Sequence, residues 1–66
     1  MITVTEVKKG IKKLEELAGD SERAHNMEIN LRNRVLEAIA EGSEEAQLLA
    51  RTVLKTSEVD FARWTA

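Results

Sequence analysis

The sequence predicts an all-α protein, and three observations support this prediction. The 66 residues contain no proline, the residue that most strongly interrupts helices. Alanine, glutamate, leucine, lysine and arginine dominate the composition, and all five are good helix formers. Apolar residues recur every three or four positions over most of the chain, which is the period of one helix face. A chain of this length is expected to form one helical domain over residues 1–66.

The first helix is predicted to begin near Val4. Thr3 and Glu6 have the spacing of a capping box, in which the two side chains satisfy backbone N–H groups that the helix leaves free. The apolar positions that follow are spaced by four, three and four residues and define one helical face: Val7, Ile11, Leu14 and Ala18.

A second apolar stripe precedes a predicted tight turn at Gly42–Ser43. The stripe consists of Ala24, Met27, Leu31, Val35, Ala38 and Ile39. Glycine tolerates the left-handed conformation that ends many helices, and serine is a frequent N-cap. These two residues are therefore expected to stop one helix and to start a shorter one.

The helix after the turn has its own apolar face. Its members are Ala46, Leu49, Ala50 and Val53. Ser57 and Asp60 again have capping-box spacing, which predicts a short terminal helix beginning there.

The chain around Gly19 allows two architectures. A lone glycine is tolerated inside a helix at a cost of about 1 kcal/mol relative to alanine, so one helix could extend from Val4 to Glu41. The chain then forms an antiparallel helical hairpin, whose shorter second helix reaches back only to about residue 21. The apolar face near the N-terminus would have no partner in its own chain: Val4, Val7, Ile11 and Leu14. A second copy is expected to cover this face, because burial stabilises each large side chain by about 1.5–3 kcal/mol.

In the other architecture the first helix ends near Gly19. Asp20 and Ser21 follow this glycine and could cap a new helix. The first helix would then fold back to give a monomeric three-helix bundle. We favour the hairpin that dimerises into a helical bundle.

Both large aromatic residues of the chain, Phe61 and Trp64, occur in its last six residues. Large aromatic side chains at helical spacing usually belong to a core. We therefore expect them to plug the open end of the helices rather than to form an exposed recognition element.

The composition argues against catalysis, cofactors and membranes. The chain has no cysteine, 33% charged residues and a net charge of −2, which fits a soluble cytoplasmic protein. No apolar run approaches the length of a membrane helix. Glu22 and His25 form a single E-x-x-H pair, which is too little for a metal site. No nucleophile–base pair or phosphate-binding loop is present, so no enzyme, cofactor or metal is expected.

A basic cluster is the best candidate for a binding surface. It contains Lys8, Lys9, Lys12 and Lys13. Its like-charge pairs four residues apart destabilise an isolated helix, so helix stability alone does not explain them. They predict a polar docking surface for another protein, and Arg32 and Arg34 are further candidates for this surface.

The alternative function is a small dimeric RNA- or DNA-binding regulator that uses the same lysines. The structural alternative is a solvated surface, paired in a dimer with acidic residues such as Glu41.

In size, composition and its closing Asp60-Phe61-Ala62-Arg63-Trp64, the chain resembles small accessory proteins of the early regions of lambda-like phages and prophages. This resemblance covers mainly the C-terminal tail. It implies a short helical protein in the host cytoplasm that binds host or phage proteins and alters their function. It carries over no catalytic residue.

Overall fold

The computed structural model describes residues 1–63. They form three α-helices, α1 (Val4–Glu16), α2 (Ser21–Ala40) and α3 (Ala46–Val53), and a 3₁₀ helix, Leu54–Glu58, that continues from α3. Each α-helix packs against the other two, and these residues contain no strand. The predicted all-α class is confirmed.

The start of α1 has the predicted capping box. The backbone N–H of Thr3 donates to Oε1 of Glu6 at 3.1 Å, and the N–H of Glu6 donates to Oγ1 of Thr3 at 3.2 Å. The hydrogen bond from the Thr3 backbone stabilises the ionised carboxylate and lowers the pKa of Glu6. Local side-chain chemistry therefore determines where this helix begins.

A break between α1 and α2 decides between the two predicted architectures. The N–H of Asp20 donates to the carbonyl of Leu17 at 2.8 Å, and Oδ1 of Asp20 accepts from the N–H of Arg23 at 3.3 Å. Asp20 is thus the N-cap of α2, while Gly19 does not adopt a positive φ. The continuous helix from Val4 to Glu41 is wrong, because an N-cap at Asp20 begins a new helix.

The turn after α2 is a Schellman motif centred on Gly42, which has a φ of +86°. The N–H of Ser43 donates to the carbonyl of Ala38, and the N–H of Gly42 donates to that of Ile39, each at 3.0 Å. The hydroxyl of Ser43 accepts from the N–H of Glu45 at 3.2 Å. Ser43 therefore stabilises the turn but is not the N-cap of α3, which begins at Ala46, two residues later than expected.

The two exposed turn glycines predict opposite effects of an alanine substitution. Gly42→Ala forces a positive φ on a residue with a Cβ and is expected to lower the free energy of unfolding by about 1 kcal/mol. Gly19→Ala meets no atom within 4 Å, so it is expected to be neutral or to raise that free energy by about 0.5 kcal/mol. Urea denaturation of both variants tests this order, and equal effects would contradict it.

The core lies between the three helices and extends under the C-terminal segment. One buried cluster joins all three helices: Ile2, Val7, Leu31, Val35, Ala38, Leu49 and Val53. A second buried cluster joins the first two helices to the segment after the 3₁₀ helix: Leu14, Ala24, Val59 and Phe61. Val59 and Phe61, which follow the 3₁₀ helix, are therefore part of the folded core.

The fold changes the role of the α1 face that was assigned to a dimer interface. Val7 and Leu14 are fully buried by their own chain, while Val4 and Ile11 are half-buried and pack against the same clusters. The argument for a second copy assumed a continuous first helix. Because α1 ends at Glu16 and packs against α2 and α3, that assumption is wrong.

Residues 59–63 do not form the predicted terminal helix. The hydroxyl of Ser57 donates back to the carbonyl of Leu54 at 2.8 Å, so it does not cap a following helix. Val59 is extended, with φ −77° and ψ 123°. Phe61 is buried in the second cluster. Trp64, predicted to act with Phe61, lies outside the described residues.

Candidate functional site

An apolar groove lies between α2 and the segment formed by α3 and the 3₁₀ helix. Its volume is about 220 Å³. Six apolar residues line it: Val35, Leu36, Ile39, Ala50, Val53 and Leu54. Of the described residues, Arg32 is the only charged one in its lining. We call this surface the leucine groove.

Two leucines on this groove are unusually exposed. Leu36 on α2 is 62% exposed, and Leu54 at the start of the 3₁₀ helix is 60% exposed. Ile29 is also partly exposed and lies two helical turns before Leu36, on the same side of α2. Single exposed apolar residues are normal, but apolar side chains grouped around a groove are typical of an interaction site.

Arg32 brings a positive charge to this groove. Its Nε donates to Oγ1 of Thr56 at 3.1 Å, and its side chain is half-buried. Within residues 1–63 it forms no salt bridge. The nearest carboxylate along α2 is that of Glu28, one turn earlier, and both of its oxygens accept hydrogen bonds from Arg63.

Arg63 fastens the C-terminal segment to α2 through Glu28. Its Nε donates to Oε1 of Glu28 at 3.2 Å, and its Nη2 donates to Oε2 at 3.1 Å. The same Nη2 also donates to the carbonyls of Thr56 and Val59, both at 2.9 Å. The guanidinium carbon lies 3.9 Å from the ring centroid of Phe61. This clamp holds Phe61 and Val59 in the core.

The charge of Glu28 depends on this clamp. Burial raises the pKa of Glu28, but the hydrogen bonds and charge of Arg63, with smaller contributions from the Thr56 side chain and the charge of Arg32, outweigh burial. The net pKa therefore lies below its ordinary value. Glu28 occupies a position of the α2 apolar face, between Ala24 and Leu31. That position is the signal in the sequence that could have identified it as a buried carboxylate in need of a partner.

The four predicted lysines form an exposed surface on α1. Lys8, Lys9, Lys12 and Lys13 all project away from the buried side of the helix, which carries Val7 and Leu14. In the part of the chain that the structure describes, none of them forms a salt bridge. We call this set the lysine surface.

The two predicted arginines are separated from each other. Arg34 lies 3.6 Å from a carboxylate oxygen of Glu6, and both side chains are about half exposed, so the pair contributes little to stability. Arg32 lines the leucine groove instead. Sequence reasoning thus named Arg32 but missed Leu36 and Leu54, because neither belongs to a predicted apolar stripe.

The other surface features do not define a site. An open depression of about 460 Å³ lies between α1 and the residues after α3, and four charged residues rim it: Glu15, Lys55, Glu58 and Asp60. Charges of both signs are typical of a solvated crevice. Over residues 1–63 no three metal-binding side chains come together, so the Glu22–His25 pair gains no further ligand.

Residues 1–63 form a small bundle of three α-helices with an exposed apolar groove between α2 and the segment that follows it. A comparison with protein-family models, curated proteins and solved structures finds no significant match. Among the described helices, none has the length and apolar composition needed to cross a lipid bilayer.

Proposed function

We propose that this chain is a non-enzymatic module that binds another protein through the leucine groove. The observation that carries this proposal is the exposure of Leu36 and Leu54 beside a groove that residues 1–63 line with six apolar side chains and a single charged one, Arg32. Burying each leucine in a complex would contribute about 1.5–3 kcal/mol. The fold leaves these two apolar side chains exposed to water, and a bound partner would bury them.

The size of the groove indicates what kind of complex to expect. Stable protein–protein interfaces bury about 800 Å² on each partner, and hot-spot residues near the centre provide most of the affinity. A groove of about 220 Å³ supplies such a centre but not a whole interface. Further contacts around its rim, on α2 and on the segment after it, would complete the interface.

Substitution of the groove leucines tests this proposal. A displayed library of random 20-residue peptides is selected against the full chain, and the affinity of each enriched peptide is measured for variants. Leu36→Lys and Leu54→Lys are expected to weaken binding at least tenfold, because each places a charge in the apolar contact. Leu48→Lys is the matched control, since Leu48 is 48% exposed and does not line the groove.

Two results would contradict the proposal. One is a selection that enriches no peptide. The other is a set of peptides whose affinity falls as much with Leu48→Lys as with the groove variants. Circular dichroism of each variant must show unchanged helix content, so that a loss of affinity reports the contact and not unfolding.

The lysine surface supports a second candidate function, in which the chain binds RNA or DNA. Its support is the grouping of four exposed lysines, none in a salt bridge within residues 1–63. Neutralising about three phosphates predicts a slope near −2 to −3 in log affinity against log salt concentration. Lys8→Gln with Lys12→Gln should reduce this slope, and Lys55→Gln serves as the control. A flat salt dependence would contradict nucleic-acid binding.

Self-association and the phage resemblance both stay predictions. Because Val7 and Leu14 are fully buried within the chain, we expect a dimer of this fold to use an exposed apolar surface such as the leucine groove. Membership in the phage accessory group would place the chain in a host cytoplasm and would make its partner a host or phage protein.

A further inference from the structure

We infer that the segment bound by the leucine groove is an amphipathic helix whose carboxylate pairs with Arg32. This inference deepens the proposed function and rests on it. The proposed function requires only that the groove bind a protein, whereas this inference specifies the backbone conformation and the charge of the bound segment.

The shape of the groove favours a helix. The groove is formed by the sides of two helical segments, and apolar side chains follow one edge at two-turn spacing, from Ile29 to Leu36. A helix that presents apolar residues three, four and seven positions apart fits such a surface. Peptides that add a strand require an exposed sheet edge, and residues 1–63 contain no sheet. Proline-rich peptides dock on aromatic residues, and this groove is lined by aliphatic ones.

The chemistry of Arg32 favours a carboxylate. Its Nε is occupied by the hydroxyl of Thr56, while its two Nη groups make no hydrogen bond to any part of residues 1–63. Both oxygens of Glu28 accept from Arg63, and the charge of Arg32 also helps to lower the pKa of Glu28. The two guanidinium groups thus share one carboxylate, and a net positive charge is left for a partner to neutralise. A half-buried guanidinium beside an apolar surface is less screened than one in open water, and a carboxylate matches its donor geometry.

The same charge argues against a second copy as the occupant. Among residues 1–63 no carboxylate lines the leucine groove, so two grooves packed face to face would bury two Arg32 side chains with no negative partner from either lining. Like charges in an interface are unfavourable. A different chain that carries its own Asp or Glu avoids this repulsion.

A cycle of substitutions in both partners tests the inference. The tightest groove-dependent peptide from the selection is synthesised, and each of its carboxylates is changed in turn to the amide, Glu→Gln or Asp→Asn. One of these changes is expected to weaken binding to the unmodified protein about tenfold, as for the loss of a charge-assisted hydrogen bond. With the Arg32→Gln variant the same change should alter affinity less than twofold. Isotope-edited NMR of the bound peptide should show a helix.

Each outcome bears on the inference separately from the proposed function. Binding that depends on Leu36 and Leu54 but on no peptide carboxylate, or a bound peptide that is extended, would overturn the inference and leave the proposed function intact. A groove filled by a second copy, seen as a dimer by light scattering that Leu36→Lys dissociates, would also overturn it. If Arg32→Gln does not fold, the peptide substitutions with the unmodified protein still decide the result.

Discussion

Leu14→Ala is expected to lower the free energy of unfolding by about 3 kcal/mol, the usual range for a fully buried leucine being 2–5 kcal/mol. Leu14 has no exposed surface and packs with Ala24, Val59 and Phe61. The substitution therefore removes apolar contacts from α1, α2 and the C-terminal segment at once and leaves a cavity. Chemical denaturation followed by circular dichroism measures the loss.

Two controls make this prediction specific to the fold described here. Leu36→Ala, at a leucine that is 62% exposed, is expected to cost less than 1 kcal/mol. The loss at Leu14 should also be the same at low and high protein concentration, because its contacts lie within one chain. A loss that depends on protein concentration would instead place Leu14 in an interface between copies.

Arg63→Met is expected to lower the free energy of unfolding by about 2–3 kcal/mol. Removing one partner of a buried ion pair typically costs about 3–5 kcal/mol, and the Arg63 side chain is 30% exposed, which reduces the effect. The variant leaves the buried Glu28 carboxylate without its bidentate partner and frees the carbonyls of Thr56 and Val59. Thermal or chemical unfolding measures the change.

The control for this prediction removes both charges. Glu28→Leu combined with Arg63→Met is expected to be more stable than Arg63→Met alone, because no buried carboxylate is left unpaired. Arg51→Met, at an exposed arginine, should be nearly neutral. A loss below 1 kcal/mol for Arg63→Met would show that the clamp does not hold the C-terminal segment.

The same pair predicts a dependence of stability on pH. Because the folded-state pKa of Glu28 lies below its ordinary value of 4.5, the ionised carboxylate stabilises the fold at pH values above that value. This contribution is lost as the pH falls through the lower, folded-state pKa. The double variant should therefore lose less stability in acid than the unmodified protein. The lowered pKa of Glu6 is common to both proteins and cancels in the comparison.

Local signals in the sequence predicted the helix ends whose chemistry is local. The capping box at Thr3 and the helix stop at Gly42 depend on residues within a few positions of each other, so spacing alone was informative. The signals at Gly19 and Asp20 were balanced. Whether the helix breaks there depends on the burial of Val7 and Leu14 when α1 folds back. A local sequence pattern carries no information about that burial.

Long-range contacts explain what the sequence did not predict. Glu28 and Arg63 are 35 positions apart, and no periodic pattern connects them. Gly10 is another example: a Cβ there would lie 2.8 Å from Cδ1 of Leu31, so this glycine permits the close approach of α1 to α2. The leucine groove was missed because Leu36 and Leu54 are identified by their exposure, which depends on how α2 and α3 pack.

The packing of α1 against α2 and α3 of the same chain is the central claim, because it buries the predicted dimer face and leaves the leucine groove as the exposed apolar surface. Isotope-filtered NMR on a mixture of labelled and unlabelled chains tests it directly. Contacts between methyl groups of α1 and α3 in one buried cluster, those of Val7 with those of Leu49 or Val53, should appear within labelled chains and not between labelled and unlabelled ones. Contacts seen only between different chains, or none between these methyl groups, would contradict the fold and the choice of the groove.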